Sequence, residues 1–224
     1  MTKLISPRIF FESGDILDFS QLLVDDVFQL LGSSLKERIA AILKELGVTD
    51  SPVIHGQVHP QAIIEGPVYI AEGAVVGPTA YIQGPTYIGP KAEVRHGAFI
   101  RGTAIIGEKA VVGHTTEVKG SIFGRDAKAG HFAYVGDSIL GDRVNLGAGT
   151  KLANLKLRGD EVKVKHPDTG DLTASGLRKL GAILGHDSQT GCNAVLSPGT
   201  MLLPKTAVLP CVHFHGTLTK GFAK

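Results

Sequence analysis

A chain of 224 residues has room for one domain with an appendage or for two small domains. Its formal net charge of +2 is too small to indicate a nucleic-acid or membrane-surface partner. No apolar run reaches the length of a membrane span and no signal-peptide pattern opens the chain, so we expect a cytoplasmic protein. The two cysteines, Cys192 and Cys211, form no disulfide framework.

Residues 1–50 predict a helical N-terminal segment. We expect a turn at Ser13–Asp15, a first helix over Ser20–Leu31 and a second helix over Lys36–Leu46, since apolar residues recur there at roughly helical spacing. The exposed end of a stack of parallel strands is an unpaired edge that needs covering. We therefore expect this segment to cap such a stack or to help assemble subunits.

From Val58 onward, an aliphatic residue recurs at every sixth position. A period of six fits neither an α-helix nor an ordinary amphipathic strand, and it is typical of a parallel β-helix built from hexapeptide repeats. The residue two positions earlier is almost always small, as a narrow interior requires. The pattern predicts a β-helix over residues 51–212, followed by a tail, 213–224. The recurring residues are Val58, Ile64, Ile70, Val76, Ile82, Ile88, Val94, Ile100, Ile106, Val112 and Val118.

The repeat is interrupted twice. After Val118, we expect the aliphatic column to resume two residues out of phase with the first block, at Ile122, Tyr134, Leu140, Leu146 and Leu152. Residues 155–180 form a polar stretch, after which the column returns at Leu184. This stretch predicts a loop inserted into the stack, and long insertions of this kind are often functional.

Three motifs around these interruptions carry a family resemblance. The first is KAGHFAYVGDSILGDRVNLGAGT, which begins at Lys128, the second is NLGAGTKLANLK from Asn145, and the third is RKLGAILG from Arg178. They resemble the C-terminal acetyltransferase domain of the bifunctional glucosamine-1-phosphate acetyltransferase/N-acetylglucosamine-1-phosphate uridylyltransferases and of related sugar-1-phosphate nucleotidylyltransferases. The resemblance covers residues 53–210. The nucleotidyltransferase half of that family has no counterpart in the first fifty residues, so a separate nucleotidyltransferase is a candidate partner.

The resemblance implies an all-β fold, a single-stranded left-handed parallel β-helix, with a short N-terminal helical segment. It also implies a homotrimer that takes acetyl-CoA as acyl donor and needs no metal. The implied reaction is N-acetylation of an amino-sugar phosphate or of a nucleotide-linked amino sugar. Other acyl-CoA donors stay open.

The resemblance also implies a set of sugar-site residues. His131 is similar to the family's general base, and Tyr134 to the aromatic residue beside it. Arg101 and Lys119 resemble the two cations that hold the sugar phosphate, and Asn145 resembles a further substrate ligand.

A second set resembles the acyl-donor site. Ala148 matches a backbone contact near the acetyl group, and Asn154 matches a residue that lines the acetyl-CoA groove. Cys192 stands where the family has a serine that contacts the cofactor, and Leu155 stands where it has a tyrosine. These two departures concern the acyl-donor pocket more than the sugar site.

The chemistry has its own requirements. A hexosamine amine is largely protonated at neutral pH, so its attack on a thioester needs a base, and imidazole titrates closest to that pH. The Gly147–Gly149 turn is expected to offer free backbone N–H groups to the tetrahedral intermediate. Arg101 and Lys119 lie 18 residues apart, the length of one coil, so they are predicted to stack as a phosphate clamp.

Each of these residues also has a plain structural interpretation. Arg101 and Lys119 fit ordinary solvated corner positions, His131 fits a hydrogen-bonded loop histidine, and Asn145 fits an asparagine ladder inside the β-helix. A non-catalytic β-helix scaffold is therefore one alternative function.

A γ-class carbonic anhydrase-like metalloprotein is the other alternative. His96 and His114 lie one coil apart and favour it, since stacked imidazoles suit a metal. Such a zinc site also needs a pair of histidines separated by four residues. Only three residues separate His55 from His59.

Overall fold

The computed structural model describes residues 4–11 and 18–224. Nearly all of its regular structure in these residues consists of short parallel strands, which stack into three sheets of nine, nine and eight strands. Successive strands pass from sheet 1 to sheet 2 to sheet 3 and back, so each circuit of the chain makes one coil of a prism. The predicted parallel β-helix is confirmed.

Sheet 1 consists of Val53–Ile54, Val68–Ile70, Thr86–Ile88, Ala104–Ile106, Ile122–Phe123, Ile139–Leu140, Ala182–Leu184, Thr200–Leu202 and Thr217–Leu218. Sheet 2 consists of Gln57–Val58, Val75–Val76, Glu93–Val94, Val111–His114, Lys128–His131, Asn145–Leu146, Gln189–Thr190, Ala207–Val208 and Phe222–Ala223. Sheet 3 consists of Ile63–Glu65, Tyr81–Gln83, Phe99–Arg101, Glu117–Lys119, Tyr134–Gly136, Lys151–Leu152, Val195–Leu196 and His213–Phe214.

The predicted aliphatic column, Val58 to Val118 at every sixth residue, lies inside the prism. Each of its residues belongs to the interior cluster or packs against it, with small side chains such as Ala92 and Ala110 between them. One aliphatic residue per strand points inward because each face of the prism takes one hexapeptide. The interior is therefore a set of three stacked hydrophobic ladders.

Beyond Val118, the predicted column is wrong by one residue at Ile122 and Tyr134, and it is confirmed at Leu140, Leu146 and Leu152. Val118 pairs with Val135, and Phe123 rather than Ile122 continues the interior ladder. The cause is the corner between sheets 3 and 1, which here takes five residues from Val118 to Phe123 instead of six. As a result, Tyr134 lies on the outer face of sheet 3, where it is half-buried and available for function.

The outer face of sheet 1 is apolar and is covered by the N-terminal segment. The column of outward residues on this face joins a second buried cluster that includes Phe10, Leu35 and Ile39. Phe19 packs edge-on against Tyr87 at a centroid distance of 5.0 Å. The described residues of the segment thus cover a side face of the prism, where the sequence predicted an end cap or an assembly element. The covered column consists of Tyr69, Tyr87, Ile105, Ile122, Ile139, Ile183 and Met201.

The second predicted helix is confirmed as α1, Gly32–Glu45, whose buried residues Leu35, Ile39, Ile42 and Leu43 face the prism. The first predicted helix is wrong. Its place is taken by two 3-10 turns, Ser20–Leu22 and Val27–Leu30, which follow an earlier 3-10 turn, Pro7–Ile9.

A side-chain cap explains the break in that first helix. The Asp26 carboxylate accepts a hydrogen bond from the Phe28 N–H at 3.3 Å and starts a new turn, while the Val27 N–H donates to the Ile5 carbonyl. The turn predicted at Ser13–Asp15 lies outside the described residues. Among the described helices, none combines the length and the apolar character that a membrane crossing requires.

The predicted insertion and tail both carry strands. The insertion contains an antiparallel hairpin of Lys163–Lys165 and Leu172–Ala174, and its Val162 and Val164 are buried beside the covered face of sheet 1. Beyond residue 212, His213–Phe214, Thr217–Leu218 and Phe222–Ala223 add one more strand to each sheet. The β-helix therefore continues past its predicted end, through a shorter final coil.

Candidate functional site

The corner between sheets 2 and 3 stacks several of the predicted residues in one column. The Phe132 N–H donates to the His114 carbonyl at 2.9 Å, and the Gly149 N–H donates to the His131 carbonyl at 3.1 Å. The same bond, repeated in successive coils, builds a corner column, which we define as His96, His114, His131, Ala148 and Cys192. The inserted hairpin leaves this corner undisturbed, so Ala148 and Cys192 are neighbours despite their separation in sequence.

The residue after each member of the corner column has a left-handed backbone. Phe132 has φ +35° and Asn193 has φ +57°, values that carry an energetic cost for residues other than glycine. Thr115 carries the same cost, whereas Gly97 and Gly149 adopt this conformation without it. The stacked hydrogen bonds of the corner fix this geometry at every coil. Each column residue consequently sits at the apex of the corner, next to the outer face of sheet 3.

The upper half of the corner column is a run of three imidazoles. The His96 and His114 rings stack at a centroid distance of 5.3 Å, and the His131 ring meets His114 edge-on at 5.2 Å. The Nδ1 atoms of His114 and His131 lie 3.4 Å apart. His131 is exposed, so its ring is accessible to a substrate.

The outer face of sheet 3 holds a network of polar side chains beside this column. Register places Glu117 between Phe99 and Tyr134, and Lys119 opposite Gly136. Lys119 Nζ lies 3.0 and 3.1 Å from the two carboxylate oxygens of Asp137. The coil spacing therefore brings Arg101, Lys119 and Tyr134 onto one face, as the sequence predicted for the two cations.

Asp137 is the buried centre of this network. It is 6% exposed, has φ +44°, and accepts hydrogen bonds from Lys119 and from the Asn154 amide. Glycines make room for these groups: a Cβ at Gly120 would lie 2.5 Å from an Asp137 oxygen, and one at Gly136 would lie 2.7 Å from the Tyr134 hydroxyl. A buried carboxylate holds the Lys119 ammonium in a fixed position.

Asn154 belongs to this network and not to the corner column. Its Oδ1 accepts a hydrogen bond from the Tyr134 hydroxyl at 3.3 Å. The sequence grouped Asn154 with Ala148 and Cys192 on the acyl-donor side, whereas the fold places it with the predicted substrate residues.

Tyr134 acts as a hydrogen-bond donor at neutral pH. Burial raises the pKa of its phenol, and the charges of Glu117 and Asp137 raise it further, while Arg101 and Asn154 act in the opposite direction. The phenol therefore stays protonated and is unsuited to act as the base.

Arg101 is held across the face by its neighbours. Its guanidinium lies 2.6 Å from a Glu117 oxygen and 5.8 Å from the centroid of the Phe99 ring. The hydrogen bond to Glu117 raises the pKa of Arg101. Glu117 and Phe99 thus hold the exposed cation against the outer face of sheet 3.

A cavity of about 240 Å³ opens between the first turn of α1 and the corner of sheets 3 and 1. Lys36 lines it from α1, and Arg101, Lys119 and Asp137 line it from the β-helix. Three cations line the cavity with the Asp137 carboxylate, and the local charge stays positive when the Glu117 carboxylate paired with Arg101 is included. Such a cavity favours an anionic group.

Asn145 lies apart from this network. It is exposed on the outer face of sheet 2, in register with Lys128 and Gln189. The eight predicted site residues therefore occupy two faces of the prism that share the histidine corner.

The expectation of free amides in the Gly147–Gly149 turn is wrong for both glycines. The Gly147 N–H donates to the Thr190 carbonyl at 2.8 Å, and the Gly149 N–H donates to the His131 carbonyl. Stacking of the coils uses these donors, because the turn sits in the middle of the β-helix and not at an end.

Two members of the network, Glu117 and Asp137, were not predicted from the sequence. They hold the two cations, and neither stands out in the repeat. The sequence separation was the available signal for Glu117. It lies 16 residues after Arg101 and 17 before Tyr134, and both separations are close to the length of one coil. Asp137 lies 18 residues after Lys119, the length of one coil, so its position beside Lys119 could also have been predicted, whereas its burial could not.

The metal-centre alternative gains no support from side-chain geometry. Within residues 4–11 and 18–224, no group of three or more His, Cys, Asp or Glu side chains is placed to hold a metal ion.

Known proteins are similar to parts of this chain. The family described as GMPPB C-terminal domain matches residues 82–168. The bifunctional protein GlmU of Methanococcus maripaludis strain C7 is 52% identical over 149 residues, which cover 66% of this chain and 36% of that protein. A bifunctional sugar-1-phosphate nucleotidylyltransferase/acetyltransferase of Sulfurisphaera tokodaii is 41% identical over 96 residues, 43% of this chain and 23% of that protein.

The overlap with these relatives is partial, since the chain spans little more than a third of their length at most. Among solved structures, the acetyltransferase domain of PglB from Neisseria gonorrhoeae FA1090 aligns with 52% of this chain and 58% of its own, at 23% identity and a TM-score of 0.41. The sequence matches confirm the predicted resemblance: the β-helix of this chain is similar to hexapeptide-repeat proteins of the sugar-1-phosphate nucleotidylyltransferase/acetyltransferase group.

Proposed function

We propose that this protein transfers an acetyl group from acetyl-CoA to the amine of an amino sugar that carries a phosphate or a nucleotide. The observation that carries the proposal is the placement of an exposed imidazole, His131, at the edge of a face whose far side holds Arg101, Lys119 and a basic cavity. The names of the similar proteins point to the same class of reaction.

The proposed reaction assigns one role to the histidine corner. The amine nitrogen attacks the thioester carbonyl, a new C–N bond forms, and His131 Nε2 takes the proton that the amine loses. The C–S bond then breaks, and the thiolate of coenzyme A leaves and takes up a proton. Ala148 and Cys192, which follow His131 in the corner column, are proposed to line the acyl-donor side.

The other end of the face is proposed to bind the anionic group of the sugar. Lys119 is fixed by Asp137, and Arg101 is fixed by Glu117, so neither cation loses much side-chain freedom when a phosphate arrives. Lys36 adds a third positive charge from α1. Tyr134 and Asn154 are proposed to hydrogen-bond the sugar hydroxyls between the two ends.

We also propose a homotrimer. Asn145 lies on the outer face of sheet 2, away from the polar face of sheet 3, and a neighbouring subunit that packs against the histidine corner would bring these two faces together. Light scattering on the purified protein measures the assembly. A monomer that turns over at the full rate would contradict this part of the proposal.

The direct test is release of free thiol from acetyl-CoA with a panel of amino sugars, glucosamine-1-phosphate and galactosamine-1-phosphate first. We expect turnover with at least one phosphorylated amine and a loss of about 10²- to 10⁴-fold in kcat in His131→Ala, the usual contribution of a general base. His215→Ala is the matched control, since it removes an exposed imidazole outside the corner column, and its rate is expected to stay within about threefold of native.

Circular dichroism of both variants establishes that they are folded. No thiol release with any amino sugar, from a folded native protein, would overturn the proposal and favour the non-catalytic scaffold.

The proposed binding of the phosphate by Lys119 leads to a separate prediction. Lys119→Ala should raise KM for the phosphorylated amine by about 10- to 100-fold, since a hydrogen bond to a charged group is worth about 1.5–3 kcal/mol. It should change the much weaker activity on free glucosamine little, because that amine carries no phosphate. Lys91→Ala, which removes an exposed corner lysine elsewhere, is the control. An equal loss on both substrates would show that Lys119 does not bind the phosphate.

A further inference from the structure

His114 is not among the predicted site residues. Its ring lies between two other imidazoles, with His96 stacked on one side and His131 edge-on at the other. Phe132 approaches it at a centroid distance of 5.8 Å. These three neighbours restrict rotation of the His114 ring, which is half-buried while His131 is exposed.

The contact between the two Nδ1 atoms has a chemical consequence. At 3.4 Å the atoms are at the long end of hydrogen-bond distance, and one nitrogen must carry the hydrogen while the other accepts it. If His131 Nδ1 carries it, the lone pair of His131 lies on Nε2, which is not engaged by His114. If His114 Nδ1 carries it, neutral His131 has its hydrogen on Nε2 and cannot take a proton there.

Proton transfer decides between the two arrangements. Once His131 has accepted a proton from the amine, both of its nitrogens carry hydrogen, and its Nδ1–H then needs an acceptor. Neutral His114 supplies that acceptor through Nδ1, in a hydrogen bond strengthened by the positive charge. The opposite arrangement would set two N–H groups against each other.

We propose that His114 is a positioning residue, which accepts a hydrogen bond from His131 Nδ1–H, fixes His131 in the tautomer with a free Nε2, and stabilises its protonated form. The proposal rests on the proposed role of His131 as the base. The hydrogen bond made by one ring nitrogen generally determines the protonation of the other.

Two variants separate this role from simple packing. His114→Asn keeps an acceptor, because its amide oxygen can lie near the position of Nδ1, whereas His114→Leu keeps bulk without an acceptor. We expect kcat to fall about 10- to 100-fold in His114→Leu, the effect of losing a hydrogen bond to a charged group, with KM nearly unchanged. His114→Asn should recover most of that loss, and His215→Ala, which removes an exposed imidazole outside the corner column, should remain near the native rate.

A spectroscopic readout makes the test independent of turnover. In protein labelled with ¹⁵N-histidine, the His131 signals are assigned by their loss in His131→Gln. In the native protein at a pH where His131 is neutral, we expect Nδ1 to be the protonated nitrogen and Nε2 the unprotonated one. In His114→Leu, we expect the two tautomers to mix.

The outcomes are distinct. A native His131 with its hydrogen on Nε2, or a tautomer unchanged in His114→Leu, overturns the inference even if the enzyme is active. Equal losses of kcat in His114→Asn and His114→Leu overturn it as well. If no amino sugar is acetylated, the proposed function fails, while the tautomer measurement still reports whether His114 orients His131.

Discussion

Replacement of Gly113 by alanine is expected to destabilise the β-helix severely, by more than about 3 kcal/mol. An alanine Cβ at this position would lie 1.8 Å from the Gly130 carbonyl oxygen and 1.9 Å from the carbonyl carbon. Both atoms belong to the backbone of the next coil, so the clash cannot be relieved by rotation of a side chain. Urea unfolding followed by circular dichroism measures the loss.

Gly130→Ala is the matched control for this experiment. Gly130 faces Gly113 across the same strand pair, yet a Cβ there would meet only the end of the Arg95 side chain, at 3.9 Å. Neither glycine has a positive φ, so the two variants differ in available space and not in backbone conformation. Gly113→Ala as stable as Gly130→Ala would show that the two coils are not in such close contact.

Ile122→Ala is also expected to lower the free energy of unfolding strongly. Ile122 is fully buried on the outer face of sheet 1, beneath the N-terminal segment, and its truncation leaves a cavity between them. We expect the free energy of unfolding to fall by about 2–5 kcal/mol, the range for truncation of a buried isoleucine. Thermal or urea unfolding of the full chain provides the measurement.

Ile63→Ala is the control, because Ile63 is also an outward isoleucine of a strand but is 53% exposed on sheet 3. Its truncation should cost no more than about 0.5 kcal/mol. Similar losses in the two variants would mean that the N-terminal segment does not stabilise the face that it covers. A loss confined to Ile122→Ala would establish the segment as part of the folded unit.

The repeat made the fold predictable because a period of six has few structural explanations. It failed at Ile122 and Tyr134, where one residue is missing from a corner and the inward position moves to Phe123 and Val135. A strict period cannot locate a missing residue within a corner. It reports only that the register has changed.

The N-terminal segment was harder to predict for a different reason. Its apolar residues have helical spacing over Ser20–Leu31, but the Asp26 cap and tertiary packing select two short turns. Aliphatic residues of sheet 1 such as Ile105 and Ile139 indicate a covered outer face only when their side chains are known to point outward. Sequence alone does not show which of two adjacent aliphatic residues points outward.

For the site, the family resemblance supplied the residues and the coil length supplied part of their grouping. Stacking of Arg101 on Lys119 follows from 18-residue spacing. The inclusion of Asn154 in the same network, and the use of the Gly147 and Gly149 amides by neighbouring coils, depend on three-dimensional contacts that no spacing records.

Between Ile70 and Phe214, the chain length of the corner between sheets 3 and 1 varies, whereas the other two corners take six residues in every coil. The corner between sheets 3 and 1 loses a residue in two successive coils, and the hairpin segment is spliced into it between Leu152 and Leu184. The other two corners keep left-handed residues aligned from coil to coil, such as Lys109 above Asp126 and Thr115 above Phe132. These two corners keep the coils aligned, so a segment inserted at the corner between sheets 3 and 1 leaves the spacing of the histidines unchanged.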